Sequence, residues 1–290
     1  MRIATWNVNS LKARLEKVAW WIERAQPDVL LLQETKLADG DVPRAELERL
    51  GYAVAHHGEG RWNGVAIASR VGVGDVLTNF GEPLRPAKTP DVGDDEPFAE
   101  ARMIAATVGA LRVISIYAPN GRVVGTPFFA AKLAWYERLA SWLARAHSPS
   151  EPIVIAGDFN VAPSDADVWD PRACHGGTHV SPEERAAFQR LCDWGLVDAY
   201  RALHAEPERY TWWDYRAGMF HKNYGMRIDH CLVSRSIAAR VVWSDIDREA
   251  RKGKPTPSDH APLVVDLDER GRAFDSGWSD ADARIAKRRK

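Results

Sequence analysis

Short apolar, β-rich runs recur along the chain, and each stops at polar or turn-forming residues. They lie at Ile3–Trp6, Val29–Leu32, Val65–Ser69, Ile104–Val108, Val113–Tyr117, Ile153–Ala156, Ile228–Val233 and Pro262–Leu267. Runs this short, with such punctuation, read as strands. Helical patterns lie between some of them. Leu11, Leu15, Val18, Trp21 and Ile22 recur at helical spacing behind Ser10, a candidate N-cap, and Phe128–Leu143 and Pro182–Trp194 read the same way. The alternation is irregular, and Ile104–Val108 with Val113–Tyr117 looks like a hairpin. This predicts mixed or antiparallel sheets covered by helices, not a regular parallel barrel. With no repeat and no linker-like segment, residues 1–268 are expected to form one domain and 269–290 a tail. The tail's basic end, Arg284–Lys290, is expected to be solvated. The Pro-, Gly- and Asp-rich stretch Gly81–Pro97 reads as a long loop.

Composition narrows the class. The 290 residues are 45% hydrophobic and include 12 Trp, 7 Tyr and 8 Phe, enough for a sizeable core. A net charge of −1 argues against indiscriminate electrostatic binding of nucleic acid, though not against a local basic face. Cys174, Cys192 and Cys231 show no metal-ligand spacing and read as free thiols in a reducing compartment. The N-terminus soon turns polar, without the apolar region of a signal peptide, and no run is long enough to span a bilayer. A soluble, cytoplasmic protein without membrane partners, and a monomer, is expected.

Polar groups gather where the apolar runs stop. Asn7 follows the first run, Gln33-Glu34-Thr35 the second, and Tyr117 and Asn120 close Val113–Ile116. Asp158 and Asn160 close Ile153–Ala156, Asp229 adjoins Ile228, and Ser258-Asp259-His260 precedes the last run. Singly, each has an ordinary explanation in capping, turns or a solvated edge. Jointly they supply carboxylates, amides, a phenol and a histidine at element ends, a set suited to phosphate-ester hydrolysis. Glu34 and Asp259 could supply carboxylates to a hard divalent cation, with Asn7 nearby. Asn7, Tyr117 and Asn160 can hold non-bridging oxygens without adding negative charge. An Asp can orient an attacking water and accept its proton, and a His held by a second carboxylate can donate to a phosphate oxygen.

Eight segments, in order, resemble the exonuclease III family of apurinic/apyrimidinic (AP) endonucleases, within the endonuclease/exonuclease/phosphatase superfamily. They are TWNVNSLKAR (Thr5–Arg14), LLQETK (Leu31–Lys36), WNGVAI (Trp62–Ile67), IYAPNG (Ile116–Gly121), IAGDFNVAP (Ile155–Pro163), YTWWDYR (Tyr210–Arg216), RIDHCLVS (Arg227–Ser234) and PSDHAPL (Pro257–Leu263). The resemblance implies a four-layered α/β sandwich of the DNase I-like kind, two mixed β-sheets face to face with helices outside. It implies Glu34 as principal ligand of Mg²⁺ (Mn²⁺ a possible substitute), with Asn7 and Asp259 near it. Asp158 would position and deprotonate the water, Asn160 and Tyr117 would stabilise the phosphorane, and Asp229 would pair with His260. One metal or two is compatible with it; with two, Asp158, Asn160 and His260 also become ligands.

The implied activity is incision of double-stranded DNA 5′ to abasic sites, with removal of blocked 3′ ends and 3′-5′ exonuclease action. Another phosphate ester, such as RNA or a nucleotide, is the alternative substrate. Trp212, Met226 and Ile228 match a pocket for an extruded abasic sugar, which costs little unstacking. Asn120, Arg122, Arg216 and Lys222 would meet the DNA backbone, with Arg251, Lys252 and Lys254 weaker candidates. Asn9, where some members carry Asp, and Met226, where some carry Trp, depart from the pattern. The acidic stretch Asp91–Glu96 is not explained by it.

Overall fold

The computed structural model describes residues 1–82 and 100–288; almost all of the loop expected at Gly81–Pro97, Asp91–Glu96 included, lies outside them. In chain order the strands are β1 (Arg2–Asn7), β2 (Val29–Gln33), β3 (Ala53–His57), β4 (Val65–Ser69), β5 (Gly74–Thr78), β6 (Met103–Val108), β7 (Leu111–Tyr117), β8 (Ile153–Asp158), β9 (Leu196–Asp198), β10 (Asp229–Ser234), β11 (Val241–Ile246) and β12 (Leu263–Leu267). They form two six-stranded sheets, ordered β11-β12-β1-β2-β4-β3 and β5-β6-β7-β8-β10-β9. Both are mixed: β1 runs parallel to β2 and β7 to β8, and the other pairings are antiparallel.

Alternating side chains divide the strand residues between two coverings. Ile3, Val29, Leu31, Ile67, Val113, Val154 and Ala156 meet in a core between the sheets. On the outer face of the first sheet, Ala4, Trp6, Leu30 and Leu32 pack against Leu11, Val18, Trp21 and Ile22 of the helix Leu11–Ala25. On the outer face of the second, Ile114, Ile116, Ile153 and Ile155 meet Trp135, Leu139, Phe188 and Leu191 from the helices Pro127–Ala146 and Pro182–Trp194. The result is helix, sheet, sheet, helix. Burial on both faces explains why the central strands read as unbroken apolar runs.

Every expected run contains a strand and every expected helix is present, with ends moved by a few residues. Ser10 does cap the first helix, accepting from Ala13 N at 3.4 Å. The segment after 268 departs from expectation. Trp278 and Ala281 are buried in the core between the sheets, and Trp278 Nε1 donates to Ile246 O at 2.8 Å. The helix Ser279–Arg288 also buries Ile285, and Asp282 pairs with Arg209. Apolar residues at 278, 281 and 285 follow the helical period; the charged residues around them outweigh that signal in the composition. The tail is therefore docked on the domain up to at least Ile285. Cys174, Cys192 and Cys231 carry free thiols, as expected.

Candidate active site

The seam where strand ends of the two sheets meet collects the expected polar residues. In the second sheet, β7 is registered on β8 so that Tyr117 lies beside Asp158, and β10 so that Asp229 lies on its other side. Residues paired across strands share a face, so the ladder puts these three groups in one row. Gly157 permits the close packing of β8 on β7: a Cβ there would stand 1.9 Å from Ile116 O. In the first sheet, Asn7 ends β1 and Glu34 follows β2 with φ 50°, a costly value for Glu that the surrounding contacts must hold. His260 precedes β12, and Trp6 Nε1 donates to its carbonyl at 3.1 Å.

Hydrogen bonds join the two halves. Asn7 Nδ2 donates to Glu34 Oε1 (2.8 Å) and to Asp158 Oδ2 (3.0 Å), so one buried amide bridges carboxylates from both sheets. His260 Nδ1 meets Asp229 Oδ2 at 2.8 Å, and its Nε2 lies 3.9 Å from Asp158 Oδ2. Asn160, with φ 51°, is held by its own N–H to Asp158 Oδ1 (2.9 Å) and by Nδ2 to Ala118 O (2.9 Å). Asn120 Nδ2 in turn donates to Asn160 Oδ1 at 3.3 Å.

The electrostatics follow from burial and crowding. Burial, and next the charge of Asp229, push the Asp158 carboxyl up to about 7, against the pull of His260 and the Asn7 amide. Burial disfavours a charged His260, but Asp229, with Asp158 and Asp259, outweighs it and lifts the imidazole to about 10. Burial and then Glu34 raise Tyr117 well above 10, so its phenol stays protonated and able to donate. Arg102 stacks at 4.6 Å on the ring of that tyrosine.

Glu34, Asp158 and His260 each present a ligand atom within 4.8 Å of the others. Two carboxylates brought together by the bridging Asn7 amide fit a hard divalent cation, which takes oxygen donors. Asp259 falls outside this group. Its oxygens accept from Asn9 Nδ2 (3.0 Å) and Trp212 Nε1 (3.1 Å), and burial notwithstanding, His260 and these bonds hold its carboxyl low. Lys36 Nζ bridges Glu34 Oε2 (3.0 Å) and Asn9 Oδ1 (2.6 Å), linking Glu34 to Asp259 through Asn9. Lys36 escaped the sequence reading as a site residue, although it stands two positions after Glu34.

Trp212, Met226 and Ile228 do come together. They pack with Ala162, Val168 and Val180, and Trp212 and Met226 exchange backbone hydrogen bonds of 2.9 and 3.0 Å. Ile228 lies buried beneath, while Trp212 and Met226 keep partly open faces. Thr211, also missed, fixes this wall by accepting from the N–H groups of Ile228 and Asp229, both at 3.1 Å. The basic candidates divide. Asn120, Arg122 and Lys222 are exposed, Arg122 lying 3.7 Å over Phe128. Arg216 is exposed yet held by Asp214 at 2.6 Å. Arg251 is buried against Tyr215 and Phe220, and Lys252 pairs with Glu249 at 2.9 Å and Asp280 at 3.3 Å.

Paired sheets with carboxylates, amides, a phenol and an Asp–His pair at one seam define a phosphoester hydrolase. Comparison with known proteins agrees. The Endonuclease/Exonuclease/phosphatase family matches residues 4–260, and the chain belongs to that family. It is a phosphodiester hydrolase. It is 38% identical over 280 residues to exodeoxyribonuclease III of Haemophilus influenzae, covering 92% of this chain and all of that one. Among solved structures it resembles the 3′ phosphatase NExo from Neisseria bound to a product DNA hairpin, at 40% identity and a TM-score of 0.82. It also resembles an AP endonuclease from Archaeoglobus fulgidus, at 34% identity and a TM-score of 0.84. Each comparison covers 93% of this chain and all of the other. No helix among the described residues is long and apolar enough to cross a membrane.

Proposed function

We propose that this chain is a Mg²⁺-dependent DNA-repair enzyme that incises duplex DNA 5′ to abasic sites, leaving a 3′-hydroxyl, and clears blocked 3′ ends. The carrying observation is Asp158, flanked on one side by Asn7 and Glu34 and on the other by the Asp229–His260 pair, beside the Trp212–Met226 wall. Glu34 would be the principal ligand of Mg²⁺, or of Mn²⁺ in its place, and the ion would supply charge neutralisation at the phosphate and the leaving oxygen. Asp158, held by the Asn7 amide and beside the Asp229–His260 pair, orients the attacking water and takes its proton. Protonated His260, oriented by Asp229, donates to a phosphate oxygen. The Tyr117 hydroxyl and the Asn160 amide hold the oxygens that gain charge. Trp212 and Met226 receive the extruded abasic sugar, and Asn120, Arg122 and Lys222 meet the backbone.

The test is a duplex carrying one abasic analogue, incubated with Mg²⁺ or with EDTA. A single cut 5′ to the lesion, only with Mg²⁺, is expected. Intact DNA alongside hydrolysis of another phosphate ester overturns the reading. One observation favours a second balance of activities: the Neisseria relative at 40% identity is named a 3′ phosphatase. If 3′ ends are the chief substrate, a 3′-phosphate duplex is processed while the abasic strand stays whole.

A further inference from the structure

Behind the site lies a charge that the mechanism leaves unused. On the helix Pro127–Ala146, Lys132 and Tyr136 stand one turn apart and face the same way. Their polar ends reach consecutive carbonyls of the loop after β8: Tyr136 Oη donates to Phe159 O, and Lys132 Nζ to Asn160 O at 2.6 Å. Nζ also donates to Asn120 O at 3.2 Å and to Glu184. An ammonium has three donors, so all are engaged. The Glu184 carboxylate is equally occupied, accepting from Thr178 Oγ1 (3.1 Å), His179 N (2.9 Å) and Ser181 N and Oγ (3.1 and 2.7 Å). His179 Nδ1 adds a second donor to Asn160 O, at 2.6 Å. The Asn120 loop lies directly on the lysine stem, since a Cβ on Gly121 would stand 2.8 Å from Lys132 Cδ.

Lys132 and Glu184 are both completely buried. A pair of apolar residues would serve the core as well or better, because burying two charges forfeits their hydration. What apolar residues lack is the ability to hold two carbonyls from separate loops on one atom. Those carbonyls belong to Asn120 and Asn160, whose carboxamides are joined to each other at the site. We propose that Lys132, neutralised by Glu184, is a positioning residue that fixes the Asn120 and Asn160 loops so that both carboxamides meet the phosphate. This rests on the role given above to Asn160. A fixed pair of donors contributes to rate through alignment, and a displacement of the order of 1 Å costs roughly a hundredfold.

The experiment measures kcat and KM on abasic duplex with Mg²⁺ for Lys132→Met/Glu184→Gln, Glu184→Gln, Lys132→Gln and Asn160→Ala, with circular dichroism to establish folding. The double variant should lose between about tenfold and about a hundredfold in kcat with KM within about threefold. Glu184→Gln strips the buried ammonium of its counter-charge, so it should move in the same direction, with lower kcat at similar KM. A purely structural pair would instead leave kcat intact in every folded variant. Wild-type kcat in the double variant, with Asn160→Ala impaired, overturns this proposal alone. Wild-type kcat in Asn160→Ala overturns the assigned mechanism, and this proposal with it. Should the double variant not fold, Lys132→Gln decides: an unchanged kcat refutes the positioning role and a selective fall in kcat supports it.

Discussion

Replacing Arg227 by Met should destabilise the protein by about 3–5 kcal/mol at pH 7, the usual cost of leaving buried charges without their partner. The guanidinium is buried just ahead of Ile228 and Asp229. Its Nε donates to Asp167 Oδ1 and its Nη1 to Asp198 Oδ2, both at 2.7 Å. Met preserves the stem packing and removes every donor. Burial pushes the Asp167 carboxyl up, but Arg227, joined by Arg201, outweighs it and holds it at about 2; Asp198 is held far below the usual range by the same arginine. A carboxyl held below its unfolded value stabilises the fold fully above about pH 4, and that contribution is lost as pH falls through about 2. For Asp167 the fall from 3.8 to about 2 corresponds to roughly 2.5 kcal/mol. In the variant Asp167, buried, and Asp198, partly buried, lose their shared partner and take up protons at higher pH, so the deficit against wild type should be largest near pH 7 and shrink toward pH 4. Urea melts followed by tryptophan fluorescence at both pH values measure this. A deficit under about 1 kcal/mol at pH 7, or the same deficit at both, would refute the reasoning.

Three further outcomes are expected. Glu34→Gln should weaken Mg²⁺ binding in calorimetry and reduce incision at least about a hundredfold, while circular dichroism stays unchanged. Asp158→Asn should abolish turnover at every pH tested, because an amide cannot accept the water's proton; a residual rate near wild type would remove Asp158 from its role. Trp278→Ala should lower stability by about 3–5 kcal/mol, read as a lower thermal midpoint, since it empties a core position and orphans Ile246 O.

The strands that the sequence left unread share one property. β3, β5, β9 and β11 occupy the four sheet edges, while every strand expected from an apolar run includes an interior position or pairs on both sides. An edge strand has one unpartnered side and is commonly short, polar or bent. β9 has three residues, β5 begins Gly74-Asp75, and β11 carries a register shift between Val241 and Trp243. The candidate site was legible for the complementary reason. Asn7, Glu34, Tyr117 and Asp158 stand where buried runs end and His260 just before one begins, and chemistry-bearing residue types are conspicuous beside hydrophobic ones. Illegible were the groups whose partners lie far along the chain. Nothing local to Lys132 announces Glu184, and nothing near Thr211 announces the N–H groups of Ile228 and Asp229.

Because Tyr117, Asp158 and Asp229 take their spacing from the hydrogen-bond ladder of β7, β8 and β10, their geometry is inherited from the backbone. Two kinds of sequence change therefore have opposite fates. A single-residue insertion within any of these strands turns the candidate site residue to the opposite face and, on the proposed mechanism, should silence the enzyme even with every reactive group retained. The exposed residues Arg122 and Lys222, in the segments between strands, lie outside these ladders and hold no such register. An architecture of this kind lets evolution, or a designer, trade one nucleic-acid substrate for another by exchanging loops while the hydrolytic machinery stays untouched.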